Sequence, residues 1–352
     1  TFGNQNGDTM TAKFRSFSTL LIYLALISVM LGLTLALLYQ SRYVSAIHGH
    51  TYATFQRLDR IPSSSVIYRA WAPRVAAIEL SYRFVGIVNK AFRLAGSELP
   101  FDKHVQYAVA LWTAGWFAAI CVVYMVAFKK QSLFFMLGTY AGILFGYTPA
   151  LDSRMYSWDM PALFFFVLAT SILATMKMNL ANTLILAAII IIAIPFKETS
   201  VVLCMFPLFA CTEQRMLSRL GLTAAIALLA LGVKSVSNVY LSGSLFSFAT
   251  NSFCSEESLF VWNIKTFVQE PIILANAGTL FAMLVVPVWT RNVLLFKTIA
   301  VCFIANNFLF GVINEYRIWF ELIPLSLATL ICAMCGTDDK DGCRTIGCCV
   351  RR

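Results

Sequence analysis

The long apolar runs of this sequence set what the chain can fold into. A helix needs about 20 apolar residues to cross roughly 30 Å of hydrocarbon, and an open sheet edge in lipid would leave backbone groups unpaired. Hydrophobic residues make up 59% of the 352 residues, and charged residues only 12%. The apolar runs lie at 16–39, 105–128, 132–150, 160–176, 180–196, 199–212, 219–240, 270–289, 293–313 and 318–335. The sequence therefore predicts an all-α, polytopic transmembrane bundle of about ten spans.

The run 199–212 is the shortest of these candidates, and it allows two topologies. If it crosses the membrane, the later segments keep the alternation set by the earlier ones. If it enters and leaves on the same side, every later segment is inverted.

Basic residues in the short connections predict the orientation. Lys and Arg next to a span resist translocation, whereas Asp and Glu have little effect. Every second connection carries them: Lys13 and Arg15, Lys129 and Lys130, Lys177, Arg215 and Arg219, Arg291, and Arg344 with Arg351 and Arg352. Both termini are therefore expected in the cytoplasm. Topology and one long basic loop explain the net charge of +10, so no nucleic-acid partner is expected.

The chain has no linker that would divide it into separate modules. We expect a cytoplasmic N-terminal segment at 1–15, one membrane domain at 16–335 and a cytoplasmic Cys-rich tail at 336–352. The membrane domain contains one large extracytoplasmic loop, 41–104, which follows the first span. Within this loop, residues 75–94 alternate apolar and charged side chains at helical spacing, which is typical of an amphipathic helix lying at the membrane interface.

Charged residues outside the basic connections are concentrated in five places, and the predicted topology puts all five on the extracytoplasmic side. They are the Arg-rich segment 42–103, Asp152-Ser153-Arg154 with Asp159, Lys197-Glu198, Glu256-Glu257, and Glu315-Tyr316-Arg317. A transporter tends to place ionisable groups near the middle of the bilayer. An enzyme that acts on a lipid head group needs them at one rim, and this chain fits the second pattern.

The polar turn before the fourth span has two interpretations. Asp159 precedes Pro161, so it suits a helix start, with the acid at the positive end of the helix dipole. Alternatively, Asp152 and Asp159 belong to a site. Arg154, between these acids, either closes the loop through an ion pair or presents its guanidinium group to a phosphate.

Three later polar positions are equally open. Lys197 and Glu198 form either a solvated turn or an inward-facing pair directed to the same cavity as Arg154. Lys234 lies in the outer third of a span and needs an acidic or phosphate partner if it faces the interior. Arg317 and Glu321 are four residues apart, a spacing that favours a local ion pair on one helix face, with ligand contact as the alternative.

Several short motifs resemble those of a known family. They are His48-Gly49-His50-Thr51-Tyr52, Tyr68-Arg69-Ala70-Trp71-Ala72-Pro73-Arg74, Tyr156-Ser157-Trp158-Asp159-Met160-Pro161, Lys197-Glu198-Thr199 and Glu315-Tyr316-Arg317. Their order is similar to that in the GT-C superfamily of polytopic membrane glycosyltransferases. Members take a sugar from a polyprenyl-phosphate carrier on the extracytoplasmic face. The resemblance covers about residues 15–335 and rests on short, degenerate motifs.

The resemblance implies a set of site residues. The acid that the family uses as a base in its first outer loop is replaced by His48, so His48, Asp59, Asp152 and Asp159 are the candidates to orient or deprotonate the acceptor. The candidate phosphate and substrate ligands are Arg69, Arg74, Arg154, Lys197, Glu198, Lys234, Glu315 and Arg317. His48 and His50 suit either a metal pair or solvated loop positions, and no cofactor or metal is assigned.

The implied reaction transfers a hexosyl or pentosyl group from polyprenyl phosphate to an acceptor hydroxyl. The arginines would stabilise the charge that develops on the leaving phosphate. The expected partners are a polyprenyl-phosphate-linked sugar, membrane lipids and an acceptor of unspecified class, and the expected location is a bacterial plasma membrane. Two alternatives remain: a non-catalytic subunit that keeps the scaffold, favoured by the missing acid, and a transporter or flippase of lipid-linked or anionic solutes.

Overall fold

The computed structural model describes residues 75–97, 101–128, 159–211, 213–242, 259–269, 291–310, 319 and 321–334. Within these ranges every regular element is a helix, which confirms the all-α class. The elements are α1 Val75–Leu94, α2 Phe101–Phe128, α3 Asp159–Thr175, α4 Leu180–Ala193, a 3-10 helix Glu198–Met205, α5 Phe206–Ala210, α6 Met216–Ser242, α7 Leu259–Gln269, α8 Arg291–Phe310 and α9 Leu322–Met334. The predicted spans 16–39, 132–150 and 270–289 lie outside the described residues.

Helix α3 lies at the centre of the described bundle, between α2, α4 and α9. Thirteen of its side chains are buried, and they include three polar ones, Asp159, Thr170 and Ser171. Thr170 satisfies its hydroxyl by donating to the carbonyl of Phe166, one turn earlier, at 2.8 Å. Such back-bonding lets a helix bury a hydroxyl without a partner from another element.

Among the described residues, two helices are long and apolar enough to cross a membrane: Met216–Tyr240 in α6 and Asn292–Leu309 in α8. The α6 segment is buried along little of its length and presents large apolar side chains outward. Leu228 is 69% exposed and Tyr240 is 72% exposed. Helix α4 also exposes apolar side chains, among them Leu184 and Ile185.

The segment after α4 runs back along α4. At one of its ends, Thr199 contacts Glu321. At the other, Cys211 lies 3.6 Å from Thr183 in the first turn of α4. The two contacts lie towards opposite ends of α4, so the segment runs antiparallel to α4 along most of its length.

Its 3-10 geometry explains how so short a segment covers that distance. A 3-10 helix rises about 2.0 Å per residue, against about 1.5 Å for an α-helix. Eight 3-10 residues followed by the five of α5 therefore extend about 24 Å, slightly more than the roughly 21 Å of α4 with its fourteen residues.

The two ends of this bundle differ in their charged groups. Asp159, Lys197 and Glu321 meet at one end, called the cluster end below. Lys177 and Glu213 form an exposed ion pair at the opposite end, where the sequence predicts a basic connection.

Helices α1 and α2 form an antiparallel hairpin. Phe84 of α1 contacts Trp112 of α2, and Phe92 contacts His104, so the two helices run in opposite directions. The amphipathic helix predicted at 75–94 is confirmed as a helix, and α2 covers much of its apolar face. The backbone N–H of Ala76, in the first turn of α1, donates to the carbonyl of Pro195 at 3.1 Å, which ties the hairpin to the cluster end.

Truncation of a buried core ring tests this packing. Phe166 is fully buried, and its ring centroid lies 5.9 Å from that of Phe303. Phe166→Ala is expected to lower the free energy of unfolding by about 3–5 kcal/mol. The control Leu228→Ala removes an exposed side chain from α6. It is expected to change the free energy of unfolding by no more than about 0.5 kcal/mol. Denaturant titration of the detergent-purified protein measures both, and equal losses would contradict the assignment of α3 to the core.

Candidate functional site

Three charged side chains are buried together at the cluster end. Lys197 Nζ lies 2.6 Å from Glu321 Oε1 and 3.6 Å from Asp159 Oδ1. The side chains of Lys197, Asp159 and Glu321 are only 7%, 3% and 1% exposed. Thr199 adds a hydrogen bond by donating from its hydroxyl to Glu321 Oε1 at 3.1 Å. These four residues are called the ion cluster below.

Each charged member of the ion cluster lies at the end of a helix. Asp159 is the first residue of α3, where the helix dipole favours a carboxylate. Lys197 immediately precedes the 3-10 helix, and Glu321 immediately precedes α9. Three separate chain segments are therefore joined where their helices begin.

The turn after α4 directs Lys197 inward. Phe196 and Lys197 both donate their backbone N–H to the carbonyl of Ala193, at 3.0 and 3.1 Å, which closes the end of α4. Pro195 within the turn has no N–H to donate, so it does not extend the helix. Lys197 itself is extended, with φ −161° and ψ 128°, and its side chain reaches the two carboxylates.

Aromatic rings surround this turn. Phe196 is buried, and its ring centroid lies 4.9 Å from that of Phe165 and 6.1 Å from that of Trp116. Trp116 in turn contacts Phe164, with ring centroids 5.2 Å apart. An apolar shell of this kind excludes water, and electrostatic interactions are stronger in the low dielectric that results.

The ion cluster contains two carboxyl groups and one ammonium group. A buried ion pair gains little net stability because desolvation opposes the Coulombic attraction, but removing one partner is costly. Glu321 Oε2 has no hydrogen-bond partner within the described part of the chain. Lys197 is therefore the group that makes burial of both acids tolerable, and it fixes where the three segments meet.

Residues of three of the five predicted charge clusters lie at this end of the bundle, and described residues that follow the other two clusters lie near them. The first turn of α1 belongs to the Arg-rich segment 42–103, and its backbone donates a hydrogen bond to Pro195. Helix α7, which follows Glu256-Glu257, is held by Asn263, whose side chain donates to the carbonyl of Phe308 at 2.8 Å. Phe308 contacts Trp319, two residues before Glu321. Asp159 and Lys197 are themselves members of the remaining two clusters.

The sequence-predicted site residues fall into three groups. Asp159 and Lys197 are brought together in the ion cluster, and Glu198 is the adjacent, half-buried first residue of the 3-10 helix. Lys234 is half-buried in α6 and forms no ion pair with another described residue. The remaining ones, His48, Asp59, Arg69, Arg74, Asp152, Arg154, Glu315 and Arg317, lie outside the described residues.

Glu321 and Thr199 are the members of the ion cluster that the sequence did not assign to the site. The local pair predicted between Arg317 and Glu321 lies outside the described residues. The partner that the structure does show for Glu321 is Lys197, 124 positions earlier in the sequence. The sequence signal that could have identified Glu321 is an acidic residue placed directly before an apolar run. Lys297, buried inside α8, is a second charged residue that sequence reasoning did not select.

Comparison with family models, with curated proteins and with solved structures gives no match. Among the described residues, no group of three or more His, Cys, Asp or Glu side chains is arranged to hold a metal ion.

Removal of the lysine tests the role of the ion cluster. Lys197→Met leaves two buried carboxyl groups without their cation, so the free energy of unfolding is expected to fall by about 3–5 kcal/mol. Lys177→Met breaks the exposed pair with Glu213 and is expected to cost at most about 1 kcal/mol. Thermal and denaturant unfolding in detergent measure the difference.

A neutralised variant separates loss of charge balance from loss of packing. Asp159→Asn, Lys197→Met and Glu321→Gln combined leave no buried charge in the ion cluster, so most of the stability lost in Lys197→Met should return. A triple variant less stable than Lys197→Met alone would contradict this electrostatic account.

Proposed function

We propose that this protein is a multi-pass membrane glycosyltransferase that moves a sugar from a polyprenyl-phosphate carrier to an acceptor hydroxyl on the extracytoplasmic face. The observation that carries the proposal is that residues of three charge clusters, in the first turn of α1, at Asp159 and at Lys197, meet at one end of the bundle. An enzyme that works on a lipid head group needs its polar groups at such a rim.

The outer surface supports a location in the membrane. Leu228 and Val236 of α6 and Ile185 and Ile192 of α4 are more than half exposed, whereas the charged groups of the ion cluster are buried. Contiguous apolar surface of this kind is unfavourable in water and favourable against hydrocarbon. In the proposed arrangement about ten helices cross a bacterial plasma membrane, with the cluster end outward.

The ion cluster has a positioning role in this proposal. Asp159 follows Arg154 by five residues, and Glu321 follows Arg317 by four. Because an extended chain spans at most about 3.6 Å per residue, Arg154 and Arg317 are tethered within roughly 18 and 14 Å of two carboxyl groups that share one lysine. Convergence of the two arginines on one phosphate is then sterically accessible.

The proposed chemistry is displacement at the anomeric carbon. The acceptor oxygen forms the new glycosidic bond as the bond to the phosphate oxygen breaks, and the acceptor proton passes to a base in the outer loops. Arg154 and Arg317 stabilise the charge on the departing phosphate. His48, Asp59 and Asp152 remain the candidate bases, because Asp159 is already paired with Lys197.

Lipid-dependent stabilisation tests the phosphate site. A ligand at about 100 times its Kd stabilises the native state by about 2.7 kcal/mol, so polyprenyl monophosphate should raise the Tm of the purified protein and unphosphorylated polyprenol should not. Arg154→Ala and Arg317→Ala should each abolish the difference. Arg215→Ala, an exposed arginine at the opposite end, should keep it and serves as the matched control.

Sugar transfer then separates an enzyme from the alternatives. Release of polyprenyl phosphate from labelled hexosyl or pentosyl donors by the wild type, and its loss in Arg154→Ala, would support the glycosyltransferase. Phosphate-dependent stabilisation without turnover of any donor would favour a non-catalytic subunit. Equal stabilisation by both lipids, or none, would contradict the phosphate site and favour a transporter.

A further inference from the structure

A second polar constellation lies at the tip of the α1–α2 hairpin, away from the ion cluster. His104 of α2 lies 12 residues before Trp116, which contacts Phe196 next to Lys197. Twelve helical residues correspond to about 18 Å. The tip therefore projects beyond the end of the bundle at which the ion cluster lies, and its chemistry is separate from the proposed sugar transfer.

The end of α1 places Ser97 on a rigid turn. The backbone N–H of Ser97 donates to the carbonyl of Phe92 at 3.0 Å, and that of Gly96 donates to Arg93 at 3.1 Å. This pair of bonds is the Schellman motif, which needs a left-handed residue after the helix. Gly96 supplies it, with φ +72°. The position of Ser97 is therefore fixed by the backbone.

Three side chains at this turn form a linear hydrogen-bonded relay. His104 Nε2 lies 3.0 Å from Ser97 Oγ, and His104 Nδ1 lies 3.0 Å from Asn89 Oδ1. An amide oxygen only accepts, so Asn89 places the ring proton on Nδ1. The unprotonated Nε2 then accepts from the Ser97 hydroxyl, which is the tautomer that a general base requires.

The histidine of this relay is more deeply buried than the serine, which is the difference that nucleophilic catalysis needs between base and nucleophile. His104 is only 3% exposed and stacks on Phe92, with ring centroids 4.9 Å apart and an interplanar angle of 12°. Contacts with Ser97, Asn89 and Phe92 therefore fix the orientation of the His104 ring. Ser97 is half-buried, whereas the base beside it is shielded from solvent. A nucleophile, a base and a group that orients the base are together the signature of an activated serine.

We propose that Ser97, His104 and Asn89 form a second active site that cleaves carboxylic esters. Ser97 Oγ attacks the ester carbonyl carbon as its proton passes to His104 Nε2, and the carbonyl bond electrons move to oxygen. The tetrahedral intermediate collapses, the bond to the alcohol oxygen breaks, and His104 returns the proton to that oxygen. Water then attacks the acyl-serine with the same base and releases the carboxylic acid and free Ser97.

The surface around the tip indicates the class of ester. Leu94 is 80% exposed and Ile87 is 67% exposed, so an apolar acyl group has a surface to lie on. Lys90 and Arg93 of the same helix are also exposed and favour an anionic alcohol portion.

Covalent labelling of the full-length protein tests this site. A fluorophosphonate probe should modify Ser97, located by peptide mass spectrometry, and Ser97→Ala should abolish the labelling. His104→Gln should slow it about 100-fold or more, because general-base catalysis contributes at least that factor. Asn89→Asp keeps an acceptor for Nδ1 and should retain labelling, whereas Asn89→Ala should reduce it. Ser218→Ala, an exposed serine on α6, is the control and should label as the wild type does.

The competing explanation is that the three residues only hold the hairpin together. In that case folded wild-type protein would fail to label at Ser97, or His104→Gln would label at the wild-type rate, and either result would overturn the proposal. Circular dichroism and the Tm of each variant establish that it is folded. Hydrolysis of 4-nitrophenyl octanoate, lost in Ser97→Ala and retained in Ser218→Ala, would show that the esterase activity belongs to this site.

Discussion

The buried ion pair between Lys197 and Glu321 is the contact on which the cluster end of this bundle depends. It joins the turn after α4 to the start of α9, and through Asp159 it also reaches the start of α3. Charges in so apolar a setting contribute little net stability when paired but destabilise strongly when a partner is missing. The value of the pair is therefore positional: it allows only one relative placement of three helix ends.

The 3-10 helix is the second constraint, and it follows directly from the first. Thr199 is bonded to Glu321 at one end, while Cys211 contacts Thr183 at the other. The 3-10 geometry lengthens the segment between these contacts, because it rises about 2.0 Å per residue against about 1.5 Å in an α-helix. Runs of eight such residues are unusual.

Much of the fold could be predicted from the sequence because apolar length and helical spacing are local signals. The starts of α3 and α4 are found within a residue of the runs at 160–176 and 180–196, and Asp159 suits a helix start. The contact between Glu321 and Lys197 could not be predicted, since the two residues are 124 positions apart and become adjacent only through tertiary packing. His104 escaped notice for a similar reason: its partners Asn89 and Ser97 are 15 and 7 positions away in the sequence, and the hairpin brings them together.

A double-mutant cycle on Lys197 and Glu321 tests the central claim most directly. Lys197→Met, Glu321→Gln and the double variant are compared with the wild type by their free energies of unfolding in detergent. Coupling of about 1 kcal/mol or more is predicted for this buried pair, against about 0.5 kcal/mol or less for the same cycle on the exposed pair Lys177 and Glu213. Additive effects at Lys197 and Glu321 would contradict the account, because the two side chains would then not hold the helix ends together.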